Sequence, residues 1–160
     1  MKHTISVTVE NEFGVLARVA GLFSGRGFNI DSLSVAETQD STVSLITLVT
    51  RGDDQIIEQI IKQLHKLVNV LKVTDMQEGE YLDRELVLVK VNANEQTKGE
   101  ILRLVDIFRG KVVDVSPKSY TVEITGDEGK VRAVMELLAP LGIREVVRTG
   151  KVAMPRGTRA

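Results

Sequence analysis

The sequence predicts an α+β protein built from two tandem ferredoxin-like units, each with the element order β-α-β-β-α-β. Segments in which apolar and polar residues alternate are separated by segments with helical periodicity. The order of these segments occurs twice along the 160 residues. Two units of under about 80 residues explain this length better than one domain. We place the boundary at a polar linker, which gives units over residues 1–77 and 78–160.

The first unit begins with strict alternation over residues 5–9, which is typical of a half-buried strand. A helix follows with apolar residues at helical spacing, and Gly25 and Gly27 end it. Asp53 and Asp54 indicate the start of a second helix, because carboxylates stabilise the positive end of the helix dipole. The other strands of this unit are expected over residues 29–37, 42–50 and 70–76.

The second unit repeats this order with little sequence identity to the first. Its first strand carries three valines on one side and Leu86, Leu88 and Lys90 on the other. The elements expected after it are a helix around residues 101–108, strands over 111–115 and 119–125, a helix over 127–141 and a strand over 143–149. Each unit is small for independent stability, so docking of the units or of protomers would stabilise them.

The strand expected over residues 42–50 has apolar side chains on both faces. Val43 and Leu45 have the opposite parity from Ile46 and Leu48. In an isolated two-layer unit, only the face covered by helices is apolar. We therefore expect a buried second face or a strand edge paired across a dimer. The alternative is a strand with a few exposed apolar side chains, which are common.

The composition excludes several classes of protein. Apolar residues make up 42% and charged residues 27%, as in soluble domains and unlike disordered chains. Twenty-one basic and 22 acidic residues give a net charge of −1, so no overall positive field attracts nucleic acid or anionic lipid. The absence of cysteine rules out disulfides and thiolate metal sites. Aromatic residues are only 4%, so platforms for base stacking are scarce.

The residues that follow Met1 predict a cytoplasmic protein. The apolar segment of a signal peptide is missing from this end. No run approaches the ~18 apolar residues of a membrane span. We therefore expect neither a membrane nor nucleic acid among the partners.

Catalytic and metal-binding motifs are also missing. His3 falls on the first strand and His65 on a helix, and neither has a second ligand at metal spacing. Motifs for a serine nucleophile, a zinc protease or a phosphate loop do not occur. Basic residues near the C-terminus are expected to belong to a frayed, solvated end rather than to a nucleic-acid site. These are Arg144, Arg148, Lys151, Arg156 and Arg159.

One loop, over residues 10–16, has the residue types of a ligand site. Asn11 can cap a helix or occupy a turn, and Gly14 allows close approach of the backbone at a helix start. Free N–H groups at such a start bind carboxylates. Asn29, before the next strand, offers both donors and acceptors. From these residue types alone, an N-cap and turn without a ligand is the alternative interpretation.

Two stretches of the chain carry a family resemblance. The pattern Asn11-x-x-Gly14-x-Leu16, with residues 18–23 and 26–33 after it, resembles an ACT domain. Residues 29–36, with the sequence NIDSLSVA, and the ending over 142–157 are similar to the small regulatory subunits of acetohydroxyacid synthase, also called acetolactate synthase. The likeness extends over essentially the whole chain.

The resemblance implies a non-catalytic regulatory subunit, with an ACT domain in the first unit and an ACT-like domain in the second that supports the effector response. It implies no cofactor here, with thiamine diphosphate, Mg²⁺ and FAD in the catalytic subunit that this chain would bind and activate. It also implies a homodimer with valine at the interface between ACT domains. The effector residues would be Asn11, Gly14, Val15 and Leu16 from one protomer, Asn29 and Ile30 from the other, and Ala36, which matches a position linked to the response.

An ACT protein that senses an amino acid for a different enzyme would share the same loop, and it stays an alternative at this point. An enzyme in its own right is disfavoured by the missing catalytic groups. A nucleic-acid-binding protein of ferredoxin-like fold is disfavoured by the net charge and by central strands that carry Val, Leu and Ile instead of aromatic residues.

Overall fold

The computed structural model describes residues 1–157, so Arg159 of the basic group near the C-terminus lies outside the described residues. The predicted fold class, two tandem ferredoxin-like units, is confirmed. The chain divides into two compact units, Met1–Leu82 with the segment that begins at Lys151, and Asp83–Gly150. The prediction from the sequence placed that last segment with the second unit, whereas in the structure it belongs to the first.

The first unit contains the elements β1 (Lys2–Glu10), α1 (Val15–Gly25), β2 (Ser32–Glu37), β3 (Val43–Arg51), α2 (Asp54–His65), β4 (Val70–Asp75) and a 3-10 turn (Met76–Glu78). Its four strands form an antiparallel sheet in the order β2-β3-β1-β4. Alternation along β1 directs Ile5, Val7 and Val9 to one face, where each is at most 3% exposed. The apolar stripes of both helices pack against this face.

The second unit contains β5 (Tyr81–Asn92, whose first two residues belong to the first unit), α3 (Lys98–Ile107), β6 (Lys111–Val115), β7 (Ser119–Gly126), α4 (Glu128–Gly142) and β8 (Ile143–Arg148). The sheet order is β6-β7-β5-β8, which repeats the order of the first sheet. The three valines that the alternation places on one side of β5, Val87, Val89 and Val91, lie in the core together with apolar residues of both helices. The two halves of the chain therefore form the same arrangement of strands and helices with different core residues.

Both faces of β3 are buried along the middle of the strand. Ile46 and Leu48 are in the core beneath the helices. On the opposite face, Thr47 is 3% and Val49 is 4% exposed. Val43 and Leu45, from which the sequence predicts a covered second face, are half-buried. This face is therefore buried toward the end of the strand and partly exposed at its start.

β2 is shorter than the sequence predicts, because it begins at Ser32 instead of Asn29. Before Ser32, the N–H of Asp31 donates to the carbonyl oxygen of Val49 at 2.7 Å, and side chains supply further hydrogen bonds. The carbonyl oxygen of Asn29 accepts a hydrogen bond from the Thr50 hydroxyl, and the Asn29 amide donates to the Asp31 carboxylate. The segment before β2 is thus an ordered connection.

The prediction of a frayed C-terminal segment is wrong as far as Gly157. Val152–Pro155 forms a ninth strand, β9, which pairs with β5. Beyond it, the backbone N–H of Arg156 donates to the carbonyl oxygen of Glu80 at 3.0 Å. The sequence pattern is too short there to separate a four-residue strand from a solvated end.

Candidate functional site

The loop from β1 to α1 ends in an uncapped helix start. Gly14 has a left-handed backbone, with φ 84°, directly before the first residue of α1; this conformation favours glycine. The first helical hydrogen bond runs from the N–H of Arg18 to the carbonyl oxygen of Gly14, at 3.1 Å. Among the described residues, no side chain caps this helix. The N–H groups of the first turn lack intrahelical partners. That of Val15 donates to the carbonyl oxygen of Glu12 at 3.4 Å, and the groups that follow make this end of α1 suited to bind a carboxylate.

The apolar side chains at this helix start have different surroundings. Val15 is 4% exposed and belongs to the core of the first unit, so its side chain packs on the sheet. Leu16 is 42% exposed and Phe13 is fully exposed. Of the two apolar residues predicted here, Leu16 is therefore the one whose side chain is available to a ligand or a partner.

Asn11 connects the loop to the turn between β2 and β3. Its backbone N–H donates to the carbonyl oxygen of Thr42 at 2.7 Å. Its side-chain amide donates to the carbonyl oxygen of Ser41 at 2.9 Å and to the Glu37 carboxylate at 3.2 Å. In the same turn, the Thr42 hydroxyl and then its backbone N–H hold the pKa of the Asp40 carboxyl below its ordinary value. The turn is thus rigidly hydrogen-bonded, and it holds Asn11 in place.

Asn29 and Ile30 lie at the other end of the sheet. Asn29 is exposed and its amide donates to Asp31. The Asp31 carboxylate in turn accepts from the Arg51 guanidinium at 2.7 Å. Ile30 is half-buried against the core. A separate series of hydrogen bonds, from Asn29 through Asp31 to Arg51, therefore orders this end of the sheet.

One protomer does not bring the predicted site residues together. Asn11 is bonded to Thr42, just before β3, and Asn29 is bonded to Thr50, near the end of β3. Eight residues of extended chain span about 26 Å. The two groups of predicted site residues, which we call the Asn11 half-site and the Asn29 half-site, thus lie at opposite ends of one sheet.

Ala36 differs from both half-sites in the face of the sheet on which its side chain lies. It pairs with Leu45, whereas Val35 and Glu37 pair with Ile46 and Ser44. Because side chains alternate along a strand, Ala36 is on the face opposite α1. It is exposed there, and its role in an effector response stays a prediction.

The edge of the first sheet at β2 is open and regular. Its six residues pair with β3 without a register shift, so the outer edge presents an even row of backbone donors and acceptors. Val35 on this strand is 40% exposed. In β6, the corresponding edge strand of the second sheet, the register shifts between Val112 and Asp114, and such a bulge hinders further pairing. Of these two edges, β2 is the one suited to pair with another strand.

The two histidines lie where the sequence placed them, in β1 and α2. His3 is buried, and its Nδ1 lies 3.0 Å from a carboxylate oxygen of Asp75 in β4. Within residues 1–157, no group of three or more His, Cys, Asp or Glu could hold a metal ion. None of the described helices is long and apolar enough to cross a membrane.

Sequence reasoning missed the side chains that support the loop over residues 10–16. Glu37 bonds Asn11 from 26 residues away, and Asn69 bonds Glu10 from 59 residues away. Strand parity could have pointed to Glu37, since it places this residue on the same face of β2 as Val35. Nothing in the spacing could have pointed to Asn69, because it lies in a turn.

Comparisons with known proteins cover the whole chain. A family model described as an AHAS small subunit-like ACT domain matches residues 5–72, and one described as the small subunit of acetolactate synthase matches residues 84–157. The acetolactate synthase small subunit of Aquifex aeolicus is 53% identical over 156 residues, which are 97% of this chain and 81% of that protein. A probable acetolactate synthase small subunit of Archaeoglobus fulgidus is 53% identical over 159 residues, which are 99% of both.

A solved structure gives the same result. The crystal structure of the acetolactate synthase small subunit from Thermotoga maritima matches this chain with a TM-score of 0.87 and 44% sequence identity, and the match covers 99% of both chains. The agreement therefore includes both units and extends well beyond a shared fold. This chain belongs to the acetolactate synthase small-subunit family.

Proposed function

We propose that this chain is the regulatory subunit of acetolactate synthase in branched-chain amino-acid biosynthesis. It binds the catalytic subunit, raises its activity and makes it sensitive to feedback inhibition by valine. Membership of the small-subunit family supports the first role. The chemistry, with thiamine diphosphate, Mg²⁺ and FAD, belongs to the catalytic subunit, and we assign no catalytic residue to this chain.

The separation of the two half-sites is the observation that carries the effector part of this proposal. The Asn11 half-site and the Asn29 half-site flank opposite ends of the open edge at β2. When β2 of one protomer pairs antiparallel with β2 of another, twofold symmetry brings the first half-site of each protomer next to the second half-site of its partner. A homodimer of this kind holds two equivalent sites, each completed by both protomers.

The groups at such a site complement valine. The N–H groups at the start of α1 receive the carboxylate. The side-chain amides of Asn11 and Asn29 both donate within the protomer, which leaves their oxygens to accept from the ammonium group. The exposed side chain of Leu16 and the half-buried Ile30 of the partner protomer contact the branched side chain.

Inhibition then requires a difference in valine affinity between two states of the dimer. Valine joins two protomers, and it favours a state that activates the catalytic subunit less well. A ligand that bound both states equally would shift nothing. The alternative regulator, an ACT protein for another enzyme, has the same site but a different partner.

Reconstitution tests the proposal. Acetolactate formation by the purified catalytic subunit is measured alone, with this chain, and with this chain and increasing valine, with lysine as the control amino acid. We expect the activity to rise when the chain is added and to fall again with valine only. No activation would contradict the regulatory role and favour a different partner enzyme. Activation without any response to valine would contradict the effector site.

A further inference from the structure

Asn69, in the turn between α2 and β4, is hydrogen-bonded to the loop that contains Gly14. It is 7% exposed. Its side-chain amide donates to the Glu10 carboxylate at 3.0 Å and to the Glu12 carboxylate at 3.3 Å. Its side-chain oxygen accepts from the Arg18 guanidinium at 2.5 Å. Its backbone oxygen also accepts from the N–H of Glu10, at 2.9 Å.

The three partners of Asn69 lie on both sides of Gly14. Glu10 and Glu12 precede it, and Arg18 follows it in the first turns of α1. Arg18 also makes the first helical hydrogen bond, to the carbonyl oxygen of Gly14. A buried polar side chain that is hydrogen-bonded through both its NH₂ group and its oxygen fixes the groups around it. One buried amide therefore holds both ends of the loop relative to the helix start.

The charges at this position explain why a neutral amide suits it. The start of α1 is the expected binding point for a carboxylate, yet two glutamates precede it by only a few residues. The two carboxylates repel each other and repel the carboxylate of a bound ligand. The NH₂ group of Asn69 binds both without adding charge, and its oxygen holds the Arg18 guanidinium beside them. The glutamates are thus kept on the Asn69 side of the loop.

We infer that Asn69 is a positioning residue for the effector: it keeps the loop over residues 10–16 in the conformation that binds the carboxylate of valine. This inference rests on the proposed function. Without Asn69, the loop occupies the binding conformation only part of the time, and the apparent Kd rises by the inverse of that fraction. A loop that is competent one tenth of the time binds valine about tenfold more weakly.

The test compares Asn69→Leu, which has a similar volume and no polar atoms, with the wild type in the reconstituted enzyme. The half-inhibitory concentration of valine is expected to rise by about tenfold, while the activation measured without valine is retained. A merely structural role would lower Tm and activation and leave the half-inhibitory concentration unchanged. Gln63→Ala is the matched control, because Gln63 accepts a hydrogen bond from Arg26 at 3.0 Å and does not bond the loop.

A second pair of variants keeps the test decisive if Asn69→Leu does not fold. Asn69→Asp retains the acceptor for Arg18 but removes both donors, so it should weaken valine inhibition. Adding Glu12→Gln supplies one donor again, now from the side chain at position 12 to the carboxylate at position 69. This second change should restore part of the inhibition. An unchanged response in Asn69→Leu, or no restoration in the double variant, would overturn the inference. Absence of valine inhibition in the wild type would instead overturn the proposed function.

Discussion

Asn11 and Asn29 lie at opposite ends of one sheet, each hydrogen-bonded to a different end of β3. The N–H of Asn11 donates to Thr42, and the carbonyl oxygen of Asn29 accepts from Thr50. The separation of about 26 Å along the strand is far larger than an amino acid. Both asparagines can contact one effector molecule only across two protomers. The oligomeric state and the response to valine should therefore change together.

Val35→Lys is expected to separate the protomers without unfolding them. Val35 lies on the open edge strand β2 and is partly exposed, so a lysine reaches solvent in the monomer. Between paired edges, two lysines related by symmetry repel each other, and edge lysines oppose strand pairing. Sedimentation equilibrium should give a dimer for the wild type and 17.6 kDa for the variant. The increase in Tm caused by valine should disappear in the variant.

Val113→Lys is the matched control for that experiment. Val113 is exposed on β6, the edge strand of the second sheet, where the register shift already hinders pairing. This variant should stay dimeric and keep its response to valine. A dimeric, valine-responsive Val35→Lys protein would show that the protomers do not pair through β2.

Gly14→Asp is expected to abolish inhibition by valine and to retain activation, because it places a fixed carboxylate against the ligand carboxylate. Gly14→Asn has the same shape and the same left-handed backbone, without the charge. The half-inhibitory concentration of valine in the reconstituted enzyme should be at least about tenfold higher for aspartate than for asparagine, which corresponds to ~1.4 kcal/mol. Equal shifts in the two variants would assign the effect to backbone strain, and loss of activation alone would contradict the placement of the site.

Valine should raise the melting temperature of the purified chain more than lysine does. A ligand at 100 times its Kd adds ~2.7 kcal/mol to the free energy of unfolding. For a chain of this size, that corresponds to roughly 5–10 °C. Leucine and isoleucine in the same series measure how closely the pocket fits the branched side chain. An unchanged Tm with all three would mean that the site forms only with the catalytic subunit, or that this chain does not bind them.

The elements could be predicted from the sequence wherever a side-chain period is long and regular. The alternation over residues 5–9 and the apolar stripe of α2 both gave the correct element and the correct core face. The start of β2 was predicted three residues early, because the hydrogen bonds of residues 29–31 come partly from the side chains of Asn29 and Thr50. β9 was not predicted, since four residues carry too little periodicity.

The candidate site was harder to predict than the fold. Gly14 could be identified from the sequence, because a left-handed backbone conformation before a helix favours glycine. Val15 could be assigned to the effector site only from its position in the loop, and the structure places its side chain in the core. Asn69 could not be found, because its contacts join residues 51 to 59 positions apart. Local patterns predict where a loop lies but not which distant side chain holds it.

His3→Leu is expected to lower the free energy of unfolding by about 1–3 kcal/mol, because it leaves the buried Asp75 carboxylate without its side-chain partner. The pair joins β1 to β4, and Asp75 also accepts from the N–H of Gln77 at 3.0 Å. Urea unfolding measures the change. Asp75→Asn, which keeps one acceptor oxygen for the N–H of Gln77 and offers its amide to the other tautomer of the His3 ring, should cost less. An equal loss in the two variants would contradict a specific His3–Asp75 bond.

Arg109→Gly is expected to stabilise the protein. Arg109 follows α3 with φ 54°, and the next residue, Gly110, donates to Val105 at 2.8 Å to close the helix end. The left-handed backbone is at Arg109 and not at Gly110, where a side chain would overlap Ile124. Left-handed strain of about 1–2 kcal/mol is relieved by glycine, which itself costs about 0.5–1 kcal/mol of entropy.

The net gain in the free energy of unfolding is therefore about 0–1.5 kcal/mol, to be measured by urea unfolding. Arg109→Ala keeps the strain and serves as the control, so it should not share the gain. If alanine stabilised the protein as much as glycine, the arginine side chain rather than its backbone would be the source of the strain. Valine inhibition should be the same in all three proteins, because Arg109 lies in the second unit and outside both half-sites.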